Sequence, residues 1–160
     1  MEKISIYPRN KAKYLRLLAF CKEILVICKE LGVTPVAWGG IAYFAYTKDK
    51  NVTLHDIDFL VPERYIPKVI DVLKKKRMRY HYNSYWQELR IFHKGLRVEL
   101  DPMETYLKGR QDLKEFQFGS VHLKVLGLDS LKGVYKHAAK VSHDKPEQHL
   151  KRWKQLNALK

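Results

Sequence analysis

The chain has 160 residues, with 31 Lys and Arg against 17 Asp and Glu, and a formal net charge of +14. At 46% hydrophobic and 12% aromatic residues it reads as one globular domain, 1–160, which excludes a disordered chain, and no apolar run approaches the eighteen or more residues of a membrane helix. Lys and Arg interrupt the first eighteen residues, which excludes a signal peptide, so a cytoplasmic protein without membrane contact is expected.

Residues 11–31 place Tyr14, Leu17, Leu18, Cys21, Ile24, Leu25 and Cys28 at helical spacing, and Gly32 is a natural stop. Cys21 and Cys28 share one helix face about 10 Å apart, too far for a disulfide, and read as buried core thiols. Residues 34–38 form a short buried strand. A helix from Gly39 to about Tyr46 follows, then a strand over 54–61. Pro62 opens a helix to about Lys75 with Ile66, Val69, Ile70 and Leu73 inside. Residues 77–82, 86–93 and 96–101 read as an antiparallel meander turning at Asn83-Ser84 and Lys94-Gly95. Residues 116–125 form a hairpin with its turn at Gly119-Ser120. Asp129 or Ser130 caps a helix to about Val141, and a last helix runs from about Pro146 toward Leu159. This order predicts an α+β fold with a mixed sheet flanked by helices, the C-terminal helices starting near 128.

The strand over 54–61 reads His55-Asp-Ile-Asp-Phe-Leu-Val61. Residues i and i+2 of a strand share a face, roughly 6.5–7 Å apart. Asp56 and Asp58 are therefore side by side, with Ile57 and Phe59 on the opposite face. Two such charges repel by about 3 kcal/mol at an effective dielectric near 20. A fold has no use for that repulsion, whereas Mg2+ takes one or two carboxylates plus substrate phosphates. Arg97-Val-Glu-Leu-Asp-Pro102 repeats the pattern, with Glu99 and Asp101 on one face. If the two strands are neighbours, their acids converge on one site. Paired metals about 3.5–4 Å apart are a device for in-line phosphoryl displacement. Gly39-Gly40 lets the backbone approach a phosphate, and the free N–H groups of a helix start attract anions.

These three segments, Gly39-Gly40, Asp56-Ile-Asp58 and Val98-Glu99-Leu100, resemble the signature of the nucleotidyltransferase superfamily with the polymerase-beta-like fold. Thr53-Leu-His-Asp-Ile-Asp58 is similar to small members such as the lincosamide and aminoglycoside nucleotidyltransferases and the nucleotidyltransferase toxins. The resemblance spans about 38–102. It implies a metal-dependent enzyme, with Mg2+ or Mn2+, that moves a nucleoside monophosphate from an NTP such as ATP to an acceptor hydroxyl or phosphate and releases pyrophosphate. Asp56, Asp58 and Glu99 are its implied metal ligands. The third acid is Glu99 or Asp101, and the family pattern of an acid between two apolar residues favours Glu99. The Gly40–Asp56 interval is longer than the family's usual spacing, which implies an extended loop.

The resemblance also implies a lysine on the helix after the sheet and another before the last helix. Lys136 in Val134-Tyr-Lys136 and Lys145 in Asp144-Lys145-Pro-Glu-Gln-His149 stand there as candidate nucleotide-binding residues. His55 is a candidate for touching the nucleotide, orienting Asp56 or packing. Trp38 and Trp86 read as core. The tyrosines of Tyr80-His-Tyr-Asn-Ser-Tyr-Trp86 either wall an acceptor pocket or belong to the meander. Seven histidines without His-x-x-x-His or Cys-His spacing exclude a zinc motif. The net charge favours anionic partners, which makes RNA, tRNA included, the leading acceptor and a small molecule the other. A non-catalytic RNA- or partner-binding module on the same fold is the alternative, against which the mutually repelling acids argue.

Overall fold

The computed structural model describes residues 1–143 and 145–159, so Asp144 of the turn before the last helix lies outside the described residues. The strands are β1 (Glu2–Ile4), β2 (Val36–Trp38), β3 (Asp56–Val61), β4 (Arg79–Asn83), β5 (Glu88–His93), β6 (Leu96–Pro102), β7 (Leu113–Phe118) and β8 (Val121–Leu126). The helices are α1 (Lys11–Glu30), α2 (Gly39–Thr47), α3 (Ile66–Lys75), α4 (Met103–Tyr106), α5 (Leu128–Val141) and α6 (Pro146–Asn157). The strands form one sheet in the order β1-β7-β8-β2-β3-β6-β5-β4. β1–β7, β2–β8 and β3–β6 run parallel, and the remaining neighbours antiparallel. The expected α+β fold with a mixed sheet is what the chain adopts.

The helix α1 starts where the Asn10 side chain accepts a hydrogen bond from the Lys13 N–H at 3.2 Å, and ends before Gly32 at φ +79°. Its inner stripe, including Tyr14, Leu17, Cys21, Ile24 and Cys28, is buried, and α1 lies against β3, β6 and α3. Ile57, Phe59, Val98 and Leu100, all fully buried, share a strand face by alternation. Each such side chain contributes about 1.5–3 kcal/mol on leaving water. The opposite face of β3 and β6 carries the acids. Both cysteines are free and buried, and burial pushes the Cys28 thiol up to about 11.

Several boundaries differ from the sequence expectation. Trp86 sits in the turn between β4 and β5, not in a strand. α5 starts at Leu128 behind Gly127, with no side-chain cap from Asp129 or Ser130. A 3-10 turn, Glu63–Tyr65, precedes α3. β1 and the single-turn α4 carried too few residues to show a period. Residues 48–55 join α2 to β3, anchored where the Arg9 N–H donates to the Val52 carbonyl at 2.9 Å.

Candidate active site

The parallel pairing of β3 with β6 brings the acids together. Asp58 stands opposite Glu99, and Asp56 opposite Arg97. Carrying the register outward gives two cross-strand rows. One runs Trp38, Asp58, Glu99, Arg90, His81, and the other Asp56, Arg97, Phe92, Arg79. Asp58, Glu99 and Asp101 each offer a carboxylate oxygen, and these three atoms lie within 4.8 Å of one another. Glu99 and Asp101 are 8% and 1% exposed.

The environment of this cluster is asymmetric. The Trp38 indole N–H donates to Asp101 Oδ2 at 3.3 Å, while Asp101 Oδ1 is buried with no hydrogen-bond partner. Arg90 Nε donates to Glu99 Oε1 at 2.8 Å. The Arg97 guanidinium donates to the Asp56 carboxylate. Burial, then the neighbouring charges of Asp56 and Glu99, hold the Asp58 carboxyl well above the usual carboxylate range. Burial, then Glu99 and Asp58, do the same to Asp101. A divalent cation fits this set: the ligands are hard oxygens, one oxygen lacks a partner, and the crowding of like charges is what a cation relieves.

Gly39 and Gly40 open α2 directly above the acids. Gly39 has φ +68°, and a Cβ there would run into the Asp58 carboxylate. Only glycine meets both demands: its lack of a Cβ gives access to left-handed backbone and leaves room for Asp58. A Cβ on Gly40 would meet Leu54 Cδ2 at 3.0 Å. The α2 N-terminus thus presents bare backbone to a cavity of about 760 Å³ whose lining includes Gly39, Gly40, Asp56, Asp58 and Glu99.

The opposite wall comes from α6 and the residue before it: Lys145, Gln148, His149 and Arg152 line the cavity. The Arg152 guanidinium donates to the Tyr135 hydroxyl at 3.3 Å and lies 5.4 Å from the centre of the Tyr43 ring. The Tyr43 hydroxyl donates to Gln155 at 2.5 Å, tying α6 to α2. Burial opposes the charge on Arg152, yet Tyr135 and the carboxylates of Asp58 and Asp56 keep its pKa above the ordinary value.

Of the residues singled out in the sequence, the structure brings Gly39, Gly40, Asp56, Asp58, Glu99 and Lys145 to the cavity lining, with Asp101 buried beside Asp58 and Glu99. Lys136 is elsewhere, exposed on α5 with its ammonium 5.5 Å from the Trp153 ring centre. His55 lines the cavity, its Nδ1 2.6 Å from Lys13 Nζ. Trp38 is buried as expected, packed against Tyr106 and Tyr135. Trp86, expected in the core, is only half-buried and stacks on His143 at 4.4 Å, and His143 Nε2 lies 3.0 Å from Glu88. Sequence reading missed Arg90, Arg97 and Arg152. The first two share strand parity with the acids, which was the available signal. Arg152 had none, being one cation of many on a basic helix.

No family model matches the sequence, and no curated protein matches it. Solved structures do. The antibiotic-resistance factor ANT(2'')-Ia is 14% identical, with a TM-score of 0.62 over 89% of this chain and 83% of that one. The lincomycin-bound lincosamide antibiotic adenylyltransferase LnuA is 13% identical, with a TM-score of 0.58 over 88% and 96%. An antigenic nucleotidyltransferase-like protein from Paracoccidioides brasiliensis is 10% identical, with a TM-score of 0.57 over 94% and 77%. At these identities the likeness is one of fold, and the fold is that of the polymerase-beta-like nucleotidyltransferases.

Proposed function

We propose that this chain is a metal-dependent nucleotidyltransferase that moves a nucleoside monophosphate from an NTP to an acceptor and releases pyrophosphate. The observation that carries the reading is the convergence of Asp58, Glu99 and Asp101 within 4.8 Å, beneath a glycine turn that only a side-chain-free backbone can make over Asp58. Residues 1–160 act as one cytoplasmic domain, with the C-terminal helices as its nucleotide wall. Among the described residues no helix is long and apolar enough to cross a membrane.

Asp56 and Asp58 would hold Mg2+, or Mn2+ in its place, for the triphosphate, and Glu99 would hold a second ion on the acceptor side or act there as the base. When bound, the ion neutralises triphosphate charge and orients the α-phosphorus. The Gly39 and Gly40 backbone, at the positive end of α2, receives phosphate oxygens. Lys145 and Arg152 offset charge on the departing pyrophosphate from the other wall. The acceptor oxygen forms a bond to the α-phosphorus. The bond from that phosphorus to the bridging oxygen breaks, and pyrophosphate leaves with its electron pair. The acceptor proton passes to Glu99, which lines the cavity, or to Asp101 buried beside it. Arg97 holds Asp56 in position, and Arg90 holds Glu99.

The test is incubation with each α-labelled NTP and Mg2+ in a cell extract, with EDTA as control. Metal-dependent label on one molecular class supports the reading and identifies that class as RNA or a small molecule. Absence of metal-dependent NTP binding by the purified protein overturns it in favour of a non-catalytic binding module.

A further inference from the structure

The sheet face that carries the acids is charged in two blocks. Toward Asp101 it holds Glu88, Glu99, Asp58 and Asp101. Toward the β5–β6 turn it holds Arg97, Phe92, Arg79 and Lys94, and Arg77 lies just before β4. These latter residues line the same cavity as the acids. Arg77, Arg79 and Lys94 are exposed. Among the described cavity-lining residues between 77 and 79 and between 92 and 97 there is no carboxylate, and Asp56 next to them is occupied by Arg97. The exposed lysines Lys74, Lys75 and Lys76 at the end of α3 continue the positive field.

This part of the sheet is partly exposed on the acid-bearing side. In β4, Tyr80 and Tyr82 pack against the core, while the alternating Arg79 and His81 are exposed. The Arg79 guanidinium lies 5.3 Å from the Phe92 ring centre. Phe92 is half-buried and the guanidinium covers its ring, so the plane the pair offers is that of Arg79, and a guanidinium backed by an aromatic ring on a positive strand face stacks a base and grips the phosphates beside it. The wing sits two to three strand spacings from Asp58, about 10–15 Å, so a chain lying on it delivers one end to the acid cluster.

We propose that the acceptor is a single-stranded nucleic acid whose backbone lies across β4, β5 and β6, with phosphates on Arg77, Arg79 and Lys94, a base on the Arg79–Phe92 pair and a terminal hydroxyl at the acids. The inference rests on the transfer reaction proposed above. It adds the class of acceptor and the surface that receives it. Charge complementarity selects a polyanion over a cationic or neutral drug-sized acceptor, and the Arg79–Phe92 pair selects an unpaired base over a duplex, whose bases are stacked away.

The experiment measures binding of a fluorescently labelled single-stranded RNA oligonucleotide, and of the same sequence as a duplex, from about 50 to 200 mM salt. Metal-dependent NTP binding is measured separately without RNA. The single strand is expected to bind, with log affinity falling against log salt at a slope near −2 for three phosphate contacts, about 0.7 per contact. Arg79→Ala and Lys94→Ala should each flatten that slope by about 0.7, and Phe92→Ala should lower affinity at least fivefold without changing the slope. The first two sites are exposed, so their variants fold, and Phe92→Leu keeps an apolar side chain if the alanine variant does not. A duplex bound as tightly as the single strand, unchanged binding in all three variants, or no RNA binding overturns the acceptor assignment. If NTP binding is intact in that case, the transfer reaction stands with a small-molecule acceptor. Loss of NTP binding by the unmodified protein instead overturns the reaction itself.

Discussion

The floor of the cleft and its C-terminal wall are built by different means. The floor is three short strands whose pairing fixes Trp38, Asp58 and Glu99 in one row, with Asp101 bonded to the Trp38 indole. Its geometry is set by backbone hydrogen bonds, and its groups have few rotatable bonds. The wall is Lys145 and one face of α6, where Gln148, His149 and Arg152 line the cavity, tied back by Tyr43–Gln155 and Arg152–Tyr135 contacts. A rigid floor suits the reacting centre, where an ångström of misplacement is expensive. In the proposed transfer, Lys145 and Arg152 on the wall suit a leaving group that must be gripped and then released.

If that division is right, floor substitutions cost the reaction and wall substitutions cost nucleotide affinity. The largest effect is expected for Asp58→Asn. Metal-dependent NTP binding and transfer should both vanish, while the melting temperature holds or rises, because burial and the charges of Asp56 and Glu99 already disfavour this carboxylate. Each kcal/mol of relief is worth about 2–4 °C in a domain of this size. A fall in melting temperature with NTP binding intact would make the acid pair structural and dissolve the comparison.

Glu99→Gln comes next. It should lower transfer by about 10²–10⁴, the usual worth of a general base, yet leave NTP binding largely in place. Asp101→Asn should be milder. If single-turnover assays find the order reversed, Asp101 is the third acid. Gly39→Ala should follow, with a loss of stability of about 1–2 kcal/mol from left-handed backbone and a further loss of activity as the new methyl displaces Asp58. Thermal melts and NTP titration read the two separately.

Arg152→Lys tests the wall. It keeps the charge and loses the planar fork, so NTP affinity should fall by roughly 10–100-fold, the worth of hydrogen bonds to a charged group, with single-turnover rate at saturation little changed. The smallest effect is expected at Lys136. With its ammonium over Trp153, Lys136→Ala should alter NTP affinity by no more than about twofold, the range of ordinary surface changes. A larger loss would place α5 in the wall as well.

The same contrast explains what was readable in the sequence. Strand alternation put Asp56 and Asp58, then Glu99 and Asp101, on single faces, and the parallel β3–β6 register joins those faces as two neighbouring strands would. The glycine pair showed through its position at a strand-to-helix turn. The Arg97–Asp56 pair was not legible, because the pairing of β3 with β6 is a tertiary fact, whereas the turn at Lys94-Gly95 already implies the register that sets Arg90 opposite Glu99. The Arg152 side chain was invisible for a related reason: α6 earns its place through contacts with α2 and α5, and its own pattern is mostly polar. Trp86 was misplaced because aromatic residues favour strands, whereas here the Asn83 side chain accepts from the N–H groups of Tyr85 and Trp86 and closes a turn.

The in-line facing of Asp58 and Glu99 also decides where this chain tolerates a change of length. Deleting or inserting one residue within β3 or β6 would turn the acids of that strand on one side of the change toward α1 and its core residues toward the cleft. The turn between β4 and β5, with Tyr85 82% exposed, lies off that register. Residues added there lengthen a loop and leave the acids opposite one another. It is the point at which a diverging lineage, or a protein engineer, gains new surface beside the reacting centre without rebuilding it.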